Sequence, residues 1–185
     1  MKDLSDADLM CLAAGDNDLA FAELVRRYQD VLLNFFLRTA VSYSDGQDLA
    51  QRTLLRLWRY RKKYTAKDAK FTTFLFMMAR QVSIDFFRAE TRRRELEVDL
   101  EQAAAAEPIA VSGRCGADAV SGEAISRAMG RLTPSLRETV ELVVFQDLPY
   151  VEAAEVLGVP LGTVKSRLFN ALRKLKGYLG NERRS

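Results

Sequence analysis

The residues with the most pointed chemistry lie near the C-terminal end, in the run Thr163-Val164-Lys165-Ser166-Arg167-Leu168-Phe169-Asn170. At helical spacing Val164 and Leu168 share an inner face, which leaves Thr163, Lys165, Ser166, Arg167, Phe169 and Asn170 exposed. Lysine and arginine bond phosphates or guanine edges, serine and asparagine bond base edges, and a phenylalanine ring can touch a thymine methyl. Arg173, Lys174 and Lys176 continue the stripe, and only Glu182 opposes the positive charge downstream of Leu161. Such a distribution is the footprint of phosphate binding.

A basic amphipathic helix alone is commonly a solvated surface, so the residues in front of the stripe decide. Ala153 and Ala154 are small enough for a second helix to cross closely. Gly158 can take the left-handed conformation of a tight turn. Leu157, Val159, Val164 and Leu168 pin two helices together, and Pro160 starts the second one. The segment Leu148–Leu168 therefore predicts a helix-turn-helix.

Other chemistries are poorly supplied. The 185-residue chain has no histidine, which removes Ser-His-Asp and Cys-His catalysis and His-ligated metal sites. Cys11 and Cys115 form no CxxC pattern and lie far apart, so neither a zinc site nor a disulfide framework is expected. There is no phosphate loop, nucleophile motif or paired carboxylate cluster. No enzyme activity, cofactor or metal is expected. Met1–Asp6 is polar and acidic rather than a signal peptide. No apolar run approaches the roughly 20 residues needed to span a bilayer, so a cytoplasmic protein without stable membrane insertion is expected.

Hydrophobic residues make up 48% of the chain and the net charge is +3, enough apolar content for buried cores. The fold class read from periodicity is all-α: two small helical domains joined by a flexible linker. Residues 1–94 read as nearly continuous helix, with a turn at Gly15-Asp16-Asn17, a break from Ser42 to Gly46, and helices over Asp48–Tyr64 and Thr72–Arg94. Residues 95–122 are acidic, alanine-rich and punctuated by Pro108 and three glycines, and read as a linker that is helical at most at its start. Residues 123–185 return to short helices, with Thr133-Pro134 marking one N-terminus.

Two segments, taken in order, resemble a known family. Tyr150–Arg173, with its Gly162-Thr163-Val164-Lys165-Ser166-Arg167 core, resembles region 4 of RNA polymerase sigma factors. Asp45-Gly46-Gln47-Asp48-Leu49-Ala50-Gln51-Arg52-Thr53-Leu54-Leu55-Arg56-Leu57-Trp58 resembles region 2.2, and Phe71–Arg88 resembles regions 2.3 and 2.4. The resemblance covers about Ala7 to Leu179. Without an extra N-terminal region or a middle domain, it points to the extracytoplasmic-function (ECF) group of the sigma-70 family.

That resemblance implies that residues 1–94 dock on the β′ clamp helices of core polymerase and capture the −10 strand. It implies that residues 123–185 bind the −35 duplex and rest on the β flap, and that an anti-sigma factor is a further partner. Asp48, Gln51, Leu54 and Leu55 would make the polymerase contact, with Trp58 expected in the core. Strand capture needs aromatic surfaces and cations. Lys63, Tyr64, Phe71, Arg80, Gln81, Asp85 and Arg88 are assigned to it, with Lys62, Lys67 and Lys70 adding charge and Phe74 packing inside. The −35 set is Thr163, Lys165, Ser166, Arg167, Phe169, Asn170, Arg173 and Lys174.

Three positions depart from the family pattern. Arg52 stands where an acidic residue is common, Gln81 where asparagine often holds a flipped base, and Asn170 where some members carry arginine. The 29 residues from Arg94 to Gly122 span at most about 100 Å, whereas a promoter spacer of about 17 base pairs is roughly 60 Å long. The linker can thus bridge both DNA sites, serving either as a spacer or as an acidic occupant of the polymerase's RNA path. The competing function is a helix-turn-helix regulator acting without core polymerase, which leaves residues 45–94 without a role.

Overall fold

The computed structural model describes residues 3–39, 41–65, 70–100 and 119–182. Every regular element among them is helical: α1 (Asp6–Ala14), α2 (Asp18–Arg38), α3 (Tyr43–Tyr60), a 3₁₀ turn (Arg61–Lys63), α4 (Phe71–Leu100), α5 (Ala119–Gly130), α6 (Pro134–Val140), a π-turn (Glu141–Phe145), α7 (Tyr150–Leu157) and α8 (Leu161–Glu182). Three N-termini are capped by their own sequence. Ser5 accepts from the Asp8 amide, Asn17 from the Ala20 amide and Ser42 from the Asp45 amide, at 3.0–3.1 Å.

The Ser42 cap corrects one expectation. The chain does not break over 42–46; α3 begins at Tyr43 and Gly46 lies inside it. The glycine marks a close helix crossing instead. A Cβ there would sit 3.3 Å from both Leu33 Cδ1 and Leu37 Cδ2 of α2. The α3 helix also ends at Tyr60, sooner than expected, and the chain tightens into the 3₁₀ turn.

The predicted linker shrinks from both ends. Helix α4 runs on to Leu100, because Glu95-Leu96-Glu97 are good helix formers and no proline intervenes before Pro108. Helix α5 already starts at Ala119. The alanine run, Pro108 and the glycines Gly113 and Gly116 fall outside the described residues.

Helices α1–α4 bury Leu9, Met10, Leu24, Leu32, Phe35, Phe36, Leu49, Leu57, Leu75 and Phe76. The Phe35 and Phe76 rings meet at 5.4 Å, tying α2 to α4. Each such side chain contributes about 1.5–3 kcal/mol on burial. The C-terminal helices have a smaller core of Met129, Leu132, Val140, Leu168 and Ala171. The two lobes also meet. Leu142, Leu148, Ala153, Val156, Leu157 and Val164 continue the N-terminal core without interruption.

Arg137 on α6 is buried and organises the C-terminal lobe from within. Its guanidinium donates to the carbonyls of Met129 (2.9 Å), Gly130 (2.8 Å) and Leu132 (2.9 Å), closing the end of α5. A fourth bond reaches the Thr39 carbonyl just beyond α2, at 3.3 Å. Burial pulls the Arg137 pKa down, yet four acceptors compensate the charge.

Candidate nucleic-acid interface and docking patch

The helix-turn-helix is built as its residues require. At the end of α7, Gly158 adopts φ 64°, ψ 37°. Its amide donates to the Glu155 carbonyl, and the Val159 amide donates to the Ala154 carbonyl, the paired bonds of a Schellman motif. Val164 turns inward from α8 into the core that holds Ala153, Val156 and Leu157, while Leu168 and Ala171 join Met129, Leu132 and Val140. On the outer side lie Lys165, Ser166, Phe169, Asn170, Arg173 and Lys174, all exposed, with Thr163 and Arg167 half-buried at the edge. Phe169 is 68% exposed, its ring largely uncovered among the described residues. The Ser166 hydroxyl donates to the Thr163 carbonyl at 3.0 Å, which leaves its oxygen lone pairs facing outward as acceptors.

The N-terminal site residues divide between surface and interior. Lys63, Asp85 and Arg88 are exposed, and Gln81 and Arg80 are half-buried. Gln81 donates to Asp85 at 2.9 Å, and Arg56 reaches the other oxygen of Asp85 at 3.4 Å. Gln81 is thus held in place by a carboxylate that is itself paired across to α3. Tyr64 and Phe71, by contrast, are core residues. Phe71 sits edge-on to Tyr28 at 5.1 Å, and Tyr64 packs against Phe74 at 5.3 Å. Burial raises the Tyr64 pKa. Its hydroxyl has no hydrogen-bond partner among the described residues. These rings shape the surface from beneath rather than presenting a free face. Lys67 lies outside the described residues.

Beside Gln81 and Asp85 runs a groove of about 550 Å³, walled by Arg52, Arg56, Arg59 and Tyr60 of α3 and by Phe86 of α4. Arg56, Arg59 and Tyr60 were not singled out from the sequence. Their signal is the three-to-four-residue spacing of Arg52, Arg56 and Arg59 down one helix face, which becomes informative only once α4 is known to pack alongside.

Three of the four docking candidates share one depression. Gln51, Leu54 and Leu55 line an apolar depression of about 540 Å³ together with Phe21, Val25 and Trp58. Leu55 is 57% exposed, and Leu19, at the start of α2, is 69% exposed. Trp58 forms the floor, with the Phe21 ring at 4.8 Å and the Arg61 guanidinium stacked over it at 3.6 Å. Asp48 lies on the same helix and is exposed. It pairs at 2.7 Å with Arg52, so the departure at position 52 gives Asp48 a partner within its own helix.

A third set of polar contacts joins the lobes and was not foreseen. Glu141 is 0% exposed, yet it receives two bonds from Arg38, at 2.7 and 3.0 Å, and one from Gln146 at 2.8 Å. Burial pushes its pKa up, and Arg38 pulls against that. The Arg38 guanidinium also lies 4.5 Å from the centre of the Phe145 ring. The sequence signal was a lone carboxylate inside the apolar run Val140–Phe145, which only a distant cation can satisfy.

A helical bundle with a basic groove and an exposed apolar patch, joined to a helix-turn-helix with an exposed outer face, is the layout of a two-lobed helical factor. Comparison with known proteins agrees. The family Sigma-70 region 2 matches residues 24–93, and the family Sigma-70, region 4 matches residues 122–175. The chain belongs to the sigma-70 family of RNA polymerase sigma factors, in its ECF group.

Among similar proteins are two ECF RNA polymerase sigma factors. SigE of Mycolicibacterium smegmatis is 31% identical over 163 residues, covering 85% of this chain and 60% of SigE. RpoE of Cereibacter sphaeroides is 29% identical over 169 residues, covering 88% of each. This chain therefore spans less than two thirds of the SigE relative but most of the RpoE one. Of solved structures, CnrH in complex with the cytosolic domain of CnrY has a TM-score of 0.70 at 24% identity, covering 95% of this chain and 97% of that one. The sigma factor RpoE of Bartonella quintana, in complex with the anti-sigma factor NepR, also reaches 0.70, at 22% identity, covering 86% and 96%. At these identities the likeness is one of helical fold. Among the described residues no helix is long and apolar enough to cross a membrane.

Proposed function

We propose that this chain binds core RNA polymerase and directs it to promoters, reading the −35 duplex with α8 and the −10 strand with the outer face of α4. The observation that carries the reading is the presence, in one chain, of an apolar patch around Leu54, Leu55 and Trp58 that no part of the described chain covers, together with an exposed recognition face on α8. A regulator that worked without polymerase would need only the second.

The work divides by lobe. Residues 1–94 dock on the clamp helices and hold the melted strand; residues 123–185 read duplex and meet the β flap. Asp48, Gln51, Leu54 and Leu55 face polymerase. Lys63, Arg80, Gln81, Asp85 and Arg88 face the strand, with Tyr64 and Phe71 supporting that surface from inside. Thr163, Lys165, Ser166, Arg167, Phe169, Asn170, Arg173 and Lys174 face the −35 duplex. Since the RpoE structure of Bartonella quintana holds an anti-sigma factor, a partner of that kind is proposed here as well, acting in the cytoplasm.

Run-off transcription with core polymerase on a random promoter library tests the reading. The wild type should select a two-element promoter. Leu55→Asp, which places a charge on the apolar patch, should abolish co-purification with core and the transcripts with it, while duplex binding by α8 persists. Promoter selection by wild type that needs no core, or core binding that survives Leu55→Asp, refutes the assignment.

A further inference from the structure

One side chain on the outer face of α4 has its hydrogen-bonding sense fixed by its neighbours. A glutamine amide donates from its nitrogen and accepts at its oxygen, and in open solvent it can present either end. Gln81 has no such freedom. Its Nε2 donates to Asp85 Oδ1 at 2.9 Å, one turn along the helix. A carboxylate only accepts, so the amide nitrogen must face Asp85 and the oxygen must face away. Gln81 Oε1 takes no hydrogen bond from any described residue.

Asp85 needs an anchor to hold that bond, because its side chain is 54% exposed. The anchor comes from α3, where Arg56 Nη1 stands 3.4 Å from Asp85 Oδ2. Three arginines lie on the α3 wall of the groove. Arg52 is taken by Asp48 within its own helix at 2.7 Å. Among the described residues, Arg56 is the one that reaches across to α4. Its guanidinium is steadied in turn over the Tyr60 ring, at 5.9 Å from the centre.

We propose that Arg56, acting through Asp85, is a positioning residue for base selection. Resting on the strand-face reading of Gln81 given above, this adds the sense of the contact and the residue that sets it. The two side chains hold the Gln81 amide with its oxygen outward, so Gln81 favours a base with an exocyclic amine over one with a carbonyl. Adenine and cytosine carry an amino donor at the place where thymine and guanine carry a carbonyl acceptor. An amine facing the Gln81 oxygen makes a bond, whereas a carbonyl facing it leaves two acceptors unpaired. A free amide would flip to suit either base and discriminate between neither. The carboxylate removes that freedom, because a flipped amide would set its oxygen against Asp85.

The test is run-off transcription by the full chain with core polymerase, from a library randomised across the −10 element. Base ratios are taken within one library, so a change in core affinity shared by all promoters cancels. Gln81→Ala first marks the position that Gln81 reads, the one where base preference changes. There the wild type should use adenine and cytosine about tenfold more than thymine and guanine, the scale of one directed base contact. An asparagine amide can bond either end of Gln81, so Asp85→Asn should bring that ratio to within about twofold of unity. Arg56→Ala should lower it to about threefold, the loss expected of one exposed ion pair. Arg56→Lys, which keeps a cation opposite Asp85, should recover most of it. Preferences at the other −10 positions and at −35 should match the wild type, which a general loss of packing would not allow. A Gln81-dependent position that prefers thymine or guanine overturns the positioning role and leaves the strand-face reading standing. So does a ratio unmoved by either Asp85→Asn or Arg56→Ala, or one that Arg56→Lys does nothing to restore. If no position responds to Gln81→Ala, the strand-face reading of Gln81 falls and the positioning role with it.

Discussion

Arg137→Met is a stringent test of how the C-terminal lobe is held. Methionine keeps much of the volume of the arginine stem but removes all its donors. Four carbonyls lose their partner: those of Met129, Gly130, Leu132 and Thr39. Hydrogen bonds to a charged group are worth about 1.5–3 kcal/mol each, a gross loss of roughly 6–12 kcal/mol. Opposing this, the variant no longer buries a guanidinium, whose desolvation is worth several kcal/mol. Gly130 is exposed, so water can rescue its carbonyl in part. The balance is a net destabilisation of about 3–5 kcal/mol, in the range for breaking a buried charged network. Urea unfolding followed by circular dichroism reads it directly. At a slope of about 2 kcal/mol/M the midpoint falls by about 1.5–2.5 M. Arg137→Lys should recover little, because a compact ammonium cannot span four acceptors. A midpoint shift below about 0.5 M in Arg137→Met would show that the carbonyls find other partners and that Arg137 is not what closes α5.

Three further outcomes are expected. Gly158→Ala should destabilise by about 1–2 kcal/mol, the strain of a left-handed backbone. A Cβ there meets nothing within 4 Å, so a loss above about 3 kcal/mol in urea would point to a steric role the turn does not have. Hydrogen bonds from Arg26 and Arg27 hold the Glu23 carboxyl down from its ordinary 4.5 to about 2. Its contribution to stability is then fully present above pH 4.5 and lost as pH falls through about 2; a carboxyl-carbon NMR titration with a midpoint above 4 contradicts the pairing. Lys165→Ala should weaken duplex binding at all sequences and lower the slope of log K against log salt by about 0.9, the signature of one lost phosphate contact. An unchanged slope places Lys165 on a base rather than a phosphate.

What the sequence made legible was local. Gly158, Pro160 and the Val164–Leu168 spacing announce the helix-turn-helix because each acts within one turn of its neighbours. The docking role given to Leu54 and Leu55 rests on the family resemblance, because a leucine on a helix reads the same whether it packs inward or meets a partner. What stayed hidden depends on partners remote in sequence. Gly46 looked like a helix breaker because its reason, the close approach of Leu33 and Leu37, belongs to another helix. Tyr64 and Phe71 looked like stacking platforms because a ring near cations reads the same whether it faces out or in; only Tyr28 and Phe74, packed against them, settle the direction. Glu141 needed Arg38, more than a hundred residues upstream, before a buried carboxylate made sense.

The placement of Trp58 turns a packing detail into an optical property. It is the only tryptophan in the chain, and it floors the docking patch between Phe21 and the guanidinium of Arg61. All intrinsic tryptophan emission from this protein therefore originates at that one surface. A tryptophan-free helical peptide seated on Leu54 and Leu55 will change the polarity above the indole and shift its emission, while duplex DNA bound at α8 will leave it unaltered. The indole thus reports on the patch around Leu54 and Leu55 and is blind to the outer face of α8.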